Sequence, residues 1–415
     1  MGLQSSFSLI LLICVGTSAS ANSTLKYLTA AVFAEYDPTL RPYCPGNTPV
    51  NITMDLAIRQ LIDMNEPKQI VKLNLWIRLN WTDCLLSWDP NDYDNISSVI
   101  VPFEKIWTPD LTLYDGVSTE FYGLEDYRPN LFYDGTVIYN FPTVIEVQCP
   151  LDVTKFPFDS QTCTLQFGSW IYNGFQVDIN IKNDHADLTS LMSNAEWVVD
   201  KATGEKHSTI YLCCSEPFPD VRYHLHIIRK PRYYQTLILF PSMVITLLAT
   251  LSYILPVDSG EKVALGVTVV LSLTVLQFLV ADKLPPSAES RPWIGHFFSF
   301  TLSLCGLSTL IQVVVINIYH RGDRRMPVWM KKAILKPLCV ITLTKAHWQD
   351  SKKEDDKSNN TGDDTVPVEE LDNKRLWQML SICIDRVGLI AFSITLTSNV
   401  CPINFRWYVI CLPWL

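Results

Sequence analysis

From Val263 to Ala281 the chain runs nineteen residues without a charge, bracketed by Glu261 and Lys262 at one end and Asp282 at the other. At about 1.5 Å per residue a helix of that length crosses a ~30 Å hydrocarbon layer, so the fold has to accommodate a membrane. Stepping from Glu261 by three, then alternately four and three, gives Glu261, Ala264, Thr268, Leu271, Val275, Phe278 and Asp282, which share one helical face. That face is acidic at one end, small and hydroxylic next, apolar through the middle and acidic again at the far end. Polarity inside a membrane is costly and calls for a reason. A water-filled pore is one reason, and it needs several copies around an axis, because a lone helix encloses nothing. An ordinary membrane anchor is the plainer alternative.

Three further stretches have spanning length and apolarity: about Tyr233 to Leu255, Ile294 to Tyr319, and Val387 to about Val409, beside Lys262 to Asp282. Asn399, Pro402, Asn404 and Arg406 interrupt the last and predict a bent or interfacial far end. The first 21 residues carry an apolar core, Phe7 to Val15, and an A-x-A end before Asn22, which reads as a cleaved secretory signal. Four spans after a cleaved signal put both ends outside. Residues 320–386 then face the cytosol, in line with Arg321, Arg324, Arg325, Lys331 and Lys332 just after the third span. Within that segment, Met326 to Met330 opens an amphipathic stretch, Gln349 to Asp364 is too polar to bury a core, and Glu369 to Ile384 reads as a helix leading into the last span.

Export gives meaning to the sequons at Asn22, Asn51, Asn80 and Asn95, all of which precede the spans, whereas the match at Asn359 falls in the cytosolic segment. The formal charge of −9 argues against nucleic acid and suits an extracellular domain with cationic partners. Six cysteines lie between the signal and the first span: Cys44, Cys84, Cys149, Cys163, Cys213 and Cys214. In an oxidising compartment they permit three disulfides in any of fifteen pairings. Proximity favours Cys149 with Cys163 and Cys213 with Cys214, leaving Cys44 and Cys84 for each other. Zinc is disfavoured, since no C-x-x-C pair or histidine cluster accompanies them, and neither metal nor cofactor is expected.

Residues 22 to 43 have helical character and end at Pro42 and Pro45. From Val50 to Lys230 the pattern is that of strands. Alternation is plain in Val71-Lys72-Leu73-Asn74-Leu75-Trp76-Ile77-Arg78-Leu79-Asn80-Trp81, and turns are predicted at Asp89-Pro90-Asn91, Asp115-Gly116, Asp134-Gly135 and Thr203-Gly204. Short strands at this spacing predict an all-β, immunoglobulin-like sandwich with a short N-terminal helix, joined to a four-helix transmembrane bundle. The expected organisation is 1–21 signal peptide, 22–230 extracellular β domain, 231–319 first three spans, 320–386 cytosolic loop with amphipathic helices, and 387–415 last span and extracellular end. No metal triad, nucleophile elbow or phosphate loop supports an enzyme.

The stretch Cys149 to Cys163 encloses thirteen residues, among them Phe156-Pro157-Phe158-Asp159. Here the chain resembles the Cys-loop pentameric ligand-gated ion channels, and within them the nicotinic acetylcholine receptor subunits of alpha-like, invertebrate type. Tyr114 in Trp107-Thr108-Pro109-Asp110-Leu111-Thr112-Leu113-Tyr114, Trp170 and Tyr172 in Phe167-Gly168-Ser169-Trp170-Ile171-Tyr172, and Tyr211 ahead of Cys213-Cys214 are similar to the three segments of that family's agonist box. Trp76 matches the aromatic supplied by the adjoining subunit. Each ring of such a cage attracts an ammonium by ~0.5 to 2 kcal/mol once water is excluded. Phe218 stands where the family usually has Tyr, which removes a hydroxyl. Arg78 lies two residues from Trp76 on the same strand face, where a guanidinium repels an ammonium or receives a carboxylate. By the same resemblance Ile138 and Asn140 line the complementary side.

The resemblance also implies a buried ion pair between Glu66 and Arg229, acting with Phe156, Phe158 and Asp159 to couple ligand binding to opening. In the span Lys262 to Asp282 it implies a negative ring of Glu261 admitting cations, since nothing like the Pro-Ala insertion of the anion-selective relatives precedes Lys262, and a closed gate at Leu271. Ala264 replaces the Ser or Thr of many relatives. The expectation is a subunit of a homopentamer or heteropentamer in the plasma membrane, postsynaptic or elsewhere on the cell surface. Its N-terminus is outside, and its partners are a small-molecule agonist, an amine or another small neurotransmitter-like ligand, with permeant cations and membrane lipid. The alternatives are a non-conducting binding or accessory subunit of hetero-oligomers, and a channel gated by a ligand other than acetylcholine.

Overall fold

The computed structural model describes residues 23–46, 49–117, 121, 127–286, 291–321, 325–342 and 368–411. The predicted signal peptide, Asn22 and the polar stretch 349–364 lie outside them. Two compact units divide the chain: one takes residues up to Asp152 and Ser160–Lys230, the other Val153–Asp159 and Pro231–Leu415.

In the first unit a helix over residues 23–32 precedes the strands β1 (Val50–Asn65), β2 (Ile70–Ser87), β3 (Ser98–Ile100), β4 (Leu111–Leu113), β5 (Asn130–Phe132), β6 (Asp134–Gln148), β7 (Ser160–Ser169), β8 (Val177–Ile181), β9 (Trp197–Ile210) and β10 (Pro217–Arg229). They form a six-stranded sheet in the order β3-β5-β6-β2-β1-β8 and a four-stranded sheet in the order β4-β7-β10-β9. Every pairing is antiparallel except β1 with β8. Period-two alternation sets the core: Val71, Leu73, Leu75, Ile77, Leu79 and Trp81 of β2 are buried, as are Val221, Tyr223, Leu225 and Ile227 of β10. The Phe121 ring joins the two sheets, 6.4 Å from Phe141 of β6 and 6.4 Å from Phe167 of β7.

The alternation fails in β1, where Met54, Asp55, Leu56, Ala57 and Ile58 are all buried. The loop from β8 to β9 covers the outer face there: Ile58 donates to the Asp187 carbonyl at 3.0 Å, Asp187 donates to Leu56 at 2.8 Å, and Met192 donates to Arg59 at 2.9 Å. The turn predicted at Thr203-Gly204 is instead mid-strand, with Gly204 opposite Tyr223. Glycine is there for close approach, because a β-carbon would come within 2.9 Å of the Tyr223 ring. At Asp89-Pro90-Asn91 the predicted turn forms, its start capped by the Asp89 carboxylate accepting from the Asn91 amide at 3.0 Å. Disulfides join Cys44 to Cys84, Cys149 to Cys163 and Cys213 to Cys214.

In the second unit four helices are long and apolar enough to cross a membrane, over Arg232–Leu251, Lys262–Ala281, Trp293–Tyr319 and Asn373–Ser398. The first opens with a π-helical turn, Gln235–Leu239, just before Pro241, whose ring nitrogen cannot continue the i to i−4 ladder. It ends at Leu251, four residues earlier than the sequence reading placed it, because Pro256 lies just ahead and disfavours helix at the residue before it. Gly260, at φ +70°, turns the chain into the second span. The last span belongs to one helix, Val368–Cys411, whose backbone stays helical past Asn399, Pro402, Asn404 and Arg406. Its leading end packs through Leu376, Trp377, Leu380 and Cys383 against Met326 and against Leu335 of a helix over residues 328–341. Polar contacts buried inside this unit include Lys262 with Asp385, Gln312 with Ser252, and Thr342 with Cys383.

Candidate functional site

Four of the sequence-predicted rings meet in two pairs. Tyr114, just beyond β4, lies edge-on to Trp170 at 6.2 Å, and its hydroxyl donates to the Ser169 carbonyl at 2.8 Å. Tyr211 lies edge-on to Phe218 at 5.8 Å, across the loop joining β9 to β10. Burial, with the nearby Tyr211, Asp220 and Asp110, pushes the Tyr114 phenol up to about 12, so it remains a neutral donor. The second predicted ring of the 170 segment turns elsewhere: Tyr172 packs edge-on to the buried Trp107 at 6.1 Å. Trp170 is 73% exposed although its backbone is tightly held. Asp110 accepts from the Ser169 hydroxyl at 2.6 Å and from the amides of Trp170 and Ile171 at 2.9 and 2.7 Å. The Trp170 ring thus stands exposed on a segment that three hydrogen bonds to Asp110 hold in place. The carboxylate that does the clamping carries no sequence signal beyond its place in Trp-Thr-Pro-Asp.

The Cys213–Cys214 disulfide lies on the loop beyond Ile210, where β9 last pairs with Pro217 of β10, and Cys214 donates to the Tyr211 carbonyl at 3.1 Å. Leu212 beside it is fully exposed. This loop holds Tyr211 over the start of β10.

Trp76, Arg78, Ile138 and Asn140 share the outer face of the six-stranded sheet. Arg78 pairs directly with Asn140, and Ile138 with Asn80. Among the described residues no ring contact links Trp76 to Tyr114, Trp170, Tyr211 or Phe218. Arg78 is already engaged, by Asp55 at 3.0 Å and Asp187 at 3.1 Å. Burial alone would lower its pKa, but the hydrogen bonds to these two carboxylates outweigh that and hold it above the ordinary value. The repulsion expected of Arg78 toward an ammonium is therefore met by two anions. Over the Trp76 ring lies a different cation, the Arg59 guanidinium, 5.3 Å from the centroid. Asp55 pairs directly with Arg78 across β1 and β2, whereas Arg59 sits at a register shift between Ile58 and Gln60 that no local pattern announces. Asp187 had no sequence signal, because it arrives from a distant loop.

Glu66 and Arg229 are in contact: the fully buried Arg229 donates to Glu66 at 2.7 Å. A third residue joins them. Glu196 accepts from the same guanidinium nitrogen at 2.5 Å, and Arg229 stacks 4.1 Å over the Trp197 ring. Burial pushes the Glu66 carboxyl above its usual value, against the pull of Arg229. Phe156 and Phe158, on the segment Val153–Asp159, belong to the helical unit. There Phe156 is buried edge-on to Tyr234 at 4.8 Å, and the Thr154 carbonyl accepts from the Trp293 amide at 3.1 Å. Asp159 is also buried.

On the second span Glu261, Ala264, Thr268, Leu271, Val275, Phe278 and Asp282 are all exposed, while Lys262, Gly266, Val269, Leu273 and Val280 are buried. The exposed line is the face the sequence periodicity picks out. Thr268 donates to the Leu265 carbonyl at 2.8 Å, so its hydroxyl is satisfied within the helix while its oxygen stays at the surface. Asn51, Asn80 and Asn95, the described sequon asparagines, are exposed.

Comparison with known proteins sets these groups in a family. The neurotransmitter-gated ion-channel ligand binding domain matches residues 25–231, and the neurotransmitter-gated ion-channel transmembrane region matches residues 238–375. The neuronal acetylcholine receptor subunit alpha-10 of Homo sapiens is 38% identical over 354 residues, 82% of this chain and 78% of that protein. The subunit alpha-9 of Gallus gallus is 40% identical over 312 residues, covering 75% of this chain, which spans only 64% of that relative. The subunit alpha-6 of Homo sapiens is 36% identical over 356 residues, 85% of this chain and 70% of that protein. A ligand-binding β unit followed by apolar helices of spanning length, with both family regions matched in that order, makes this chain a multi-pass membrane protein of the neurotransmitter-gated ion-channel family, related to the neuronal acetylcholine receptor subunits and not an enzyme.

Proposed function

We propose that this chain is a subunit of a pentameric, cation-selective channel of the plasma membrane. A small cationic ligand captured by Tyr114, Trp170, Tyr211 and Phe218 against Trp76 of a neighbouring subunit opens it. The observation that carries the reading is the exposed line of the second span, which sets Glu261, Thr268 and Asp282 on the open side while Gly266, Val269, Leu273 and Val280 pack on the other. Five such lines around an axis make a pore with Glu261 as the cation-attracting ring and Leu271 as the dewetting constriction. The β unit lies outside the cell, where Asn51, Asn80 and Asn95 accept glycans, and the Glu261 end of the pore faces the cytosol.

Ligand capture reaches the helices along the chain itself, which passes between units after Asp152, after Asp159 and after Lys230. Arg229, beside the last of these, is fixed by Glu66, Glu196 and Trp197. Removing a carboxylate from a buried cation costs about 3 to 5 kcal/mol, more than enough to shift an opening equilibrium. Glu66→Arg alone is expected to abolish responses. Pairing it with Arg229→Glu is expected to restore only part, because Glu196 then faces a like charge. Full restoration would remove Glu196 from the account.

The proposal is tested by expressing the chain in oocytes, alone and with a related alpha subunit, and applying acetylcholine. Inward current that Trp170→Ala abolishes supports it. Current unchanged by Trp170→Ala, or a reversal potential following chloride, contradicts it.

A further inference from the structure

The indole face that should receive a ligand on the complementary side already holds a cation. The Arg59 guanidinium sits over Trp76, 5.3 Å from the ring centroid. It is not a passing surface side chain: Nη1 donates to the Ser190 carbonyl at 2.6 Å, and the Arg59 carbonyl accepts from Met192 at 2.9 Å, so the residue is pinned at both ends to the loop that covers β1. Two arginines share this face, and they differ in what balances them. Arg78 has Asp55 and Asp187. Arg59 makes no ion pair among the described residues, and its charge is balanced only by a carbonyl and an indole. Guanidinium donors beyond the one given to Ser190 remain for another acceptor.

We propose that Arg59 is a specificity-determining residue that selects against bare ammonium ligands and for ligands carrying a carboxylate. The inference rests on the reading that Trp76 lines a ligand site between subunits. A bare ammonium gains one aromatic wall fewer at Trp76 and meets an unbalanced positive charge there. A ligand with an ammonium at one end and a carboxylate at the other places the first against Trp170 and Tyr114 of one subunit and the second against Arg59 of the next, where planar N–H donors suit it.

Tetramethylammonium and betaine make the test, since both carry a trimethylated nitrogen and only betaine adds a carboxylate. Binding of each is measured by isothermal titration to the purified full-length protein in lipid nanodiscs, which needs no channel opening. Wild type is expected to bind betaine about tenfold tighter than tetramethylammonium, the span that one cation–aromatic contact supports. Arg59→Gln keeps a donor for Ser190 and removes the charge, so it should tighten tetramethylammonium and weaken betaine, each about threefold, and bring the two together. Arg59→Lys keeps the charge and should retain the betaine preference, which guards against loss of fold as the cause. An unchanged betaine to tetramethylammonium ratio in Arg59→Gln, or no binding of either probe to both wild type and Arg59→Gln, overturns the inference. Trp170→Ala separates the two levels: binding that survives it removes the aromatic site itself, whereas binding lost there with an unchanged ratio in Arg59→Gln removes only the role of Arg59.

Discussion

The second and third spans are both long apolar helices, yet they distribute polarity differently. The third buries Thr301, Ser308 and Gln312 and exposes Leu307, Leu310, Val313 and Val314, with His296, Ser299, Ser303 and Asn317 exposed as well. The second exposes Glu261, Thr268 and Asp282 and buries Gly266, Val269, Leu273 and Val280. A helix facing lipid hides what lipid cannot solvate, and a helix facing water need not. The surroundings proposed for the two helices, water for the second and lipid for the third, rest on where these few polar residues sit. One residue breaks the pattern on the second span: Lys262, charged and fully buried, paired with Asp385 of the last helix.

That exception carries the largest expected effect. Asp385→Asn leaves a buried lysine without its counter-charge at a cost of about 3 to 5 kcal/mol, and should be seen as a marked loss of surface protein and of thermal stability. The exposed faces differ more subtly. Leu271→Ser, placing a hydroxyl in the proposed constriction, should lower the agonist concentration for half activation about tenfold and raise resting current, given ~1.5 to 3 kcal/mol for hiding a leucine from water. Leu310→Ser, at an equally exposed place on the third span, should change it less than about twofold. Equal shifts would erase the distinction between the two helices. Smallest is Glu261→Gln, expected to reduce single-channel cation current roughly twofold while leaving agonist sensitivity near wild type.

Periodicity made the exposed line of the second span legible, because a helix in isolation already decides which residues share a face. The sandwich was legible for the same reason, since β2 alternates from Val71 to Trp81 and β10 from Val221 to Arg229. What escaped depends on partners distant in sequence. Gly204 looked like a turn because the Tyr223 ring that requires a glycine opposite it lies on another strand. The helix expected over Glu369 to Ile384 does form, but it runs unbroken through the last span and past Pro402, where the sequence predicted a bend. Glu196 joined the Glu66–Arg229 pair from the start of β9, and Asp187 reached Arg78 from a loop, both by pairings that no local pattern announces. Tyr172 shared its segment with Trp170, but the tight turn held by Asp110 sends the two rings to different neighbours. Site residues on regular strands and helices were thus easier to foresee than those set by loops.

The direct measurement of whether the second span lines a conduction path is chemical access during opening. Cysteine introduced at Leu271 and, separately, at Leu310 is exposed to a cationic, membrane-impermeant thiol reagent while agonist is present, with the unmodified channel as control for the buried Cys305 and Cys383. Irreversible loss of current at Leu271→Cys, with Leu310→Cys unaffected, is the predicted result. Block at Leu310→Cys with Leu271→Cys untouched would contradict it.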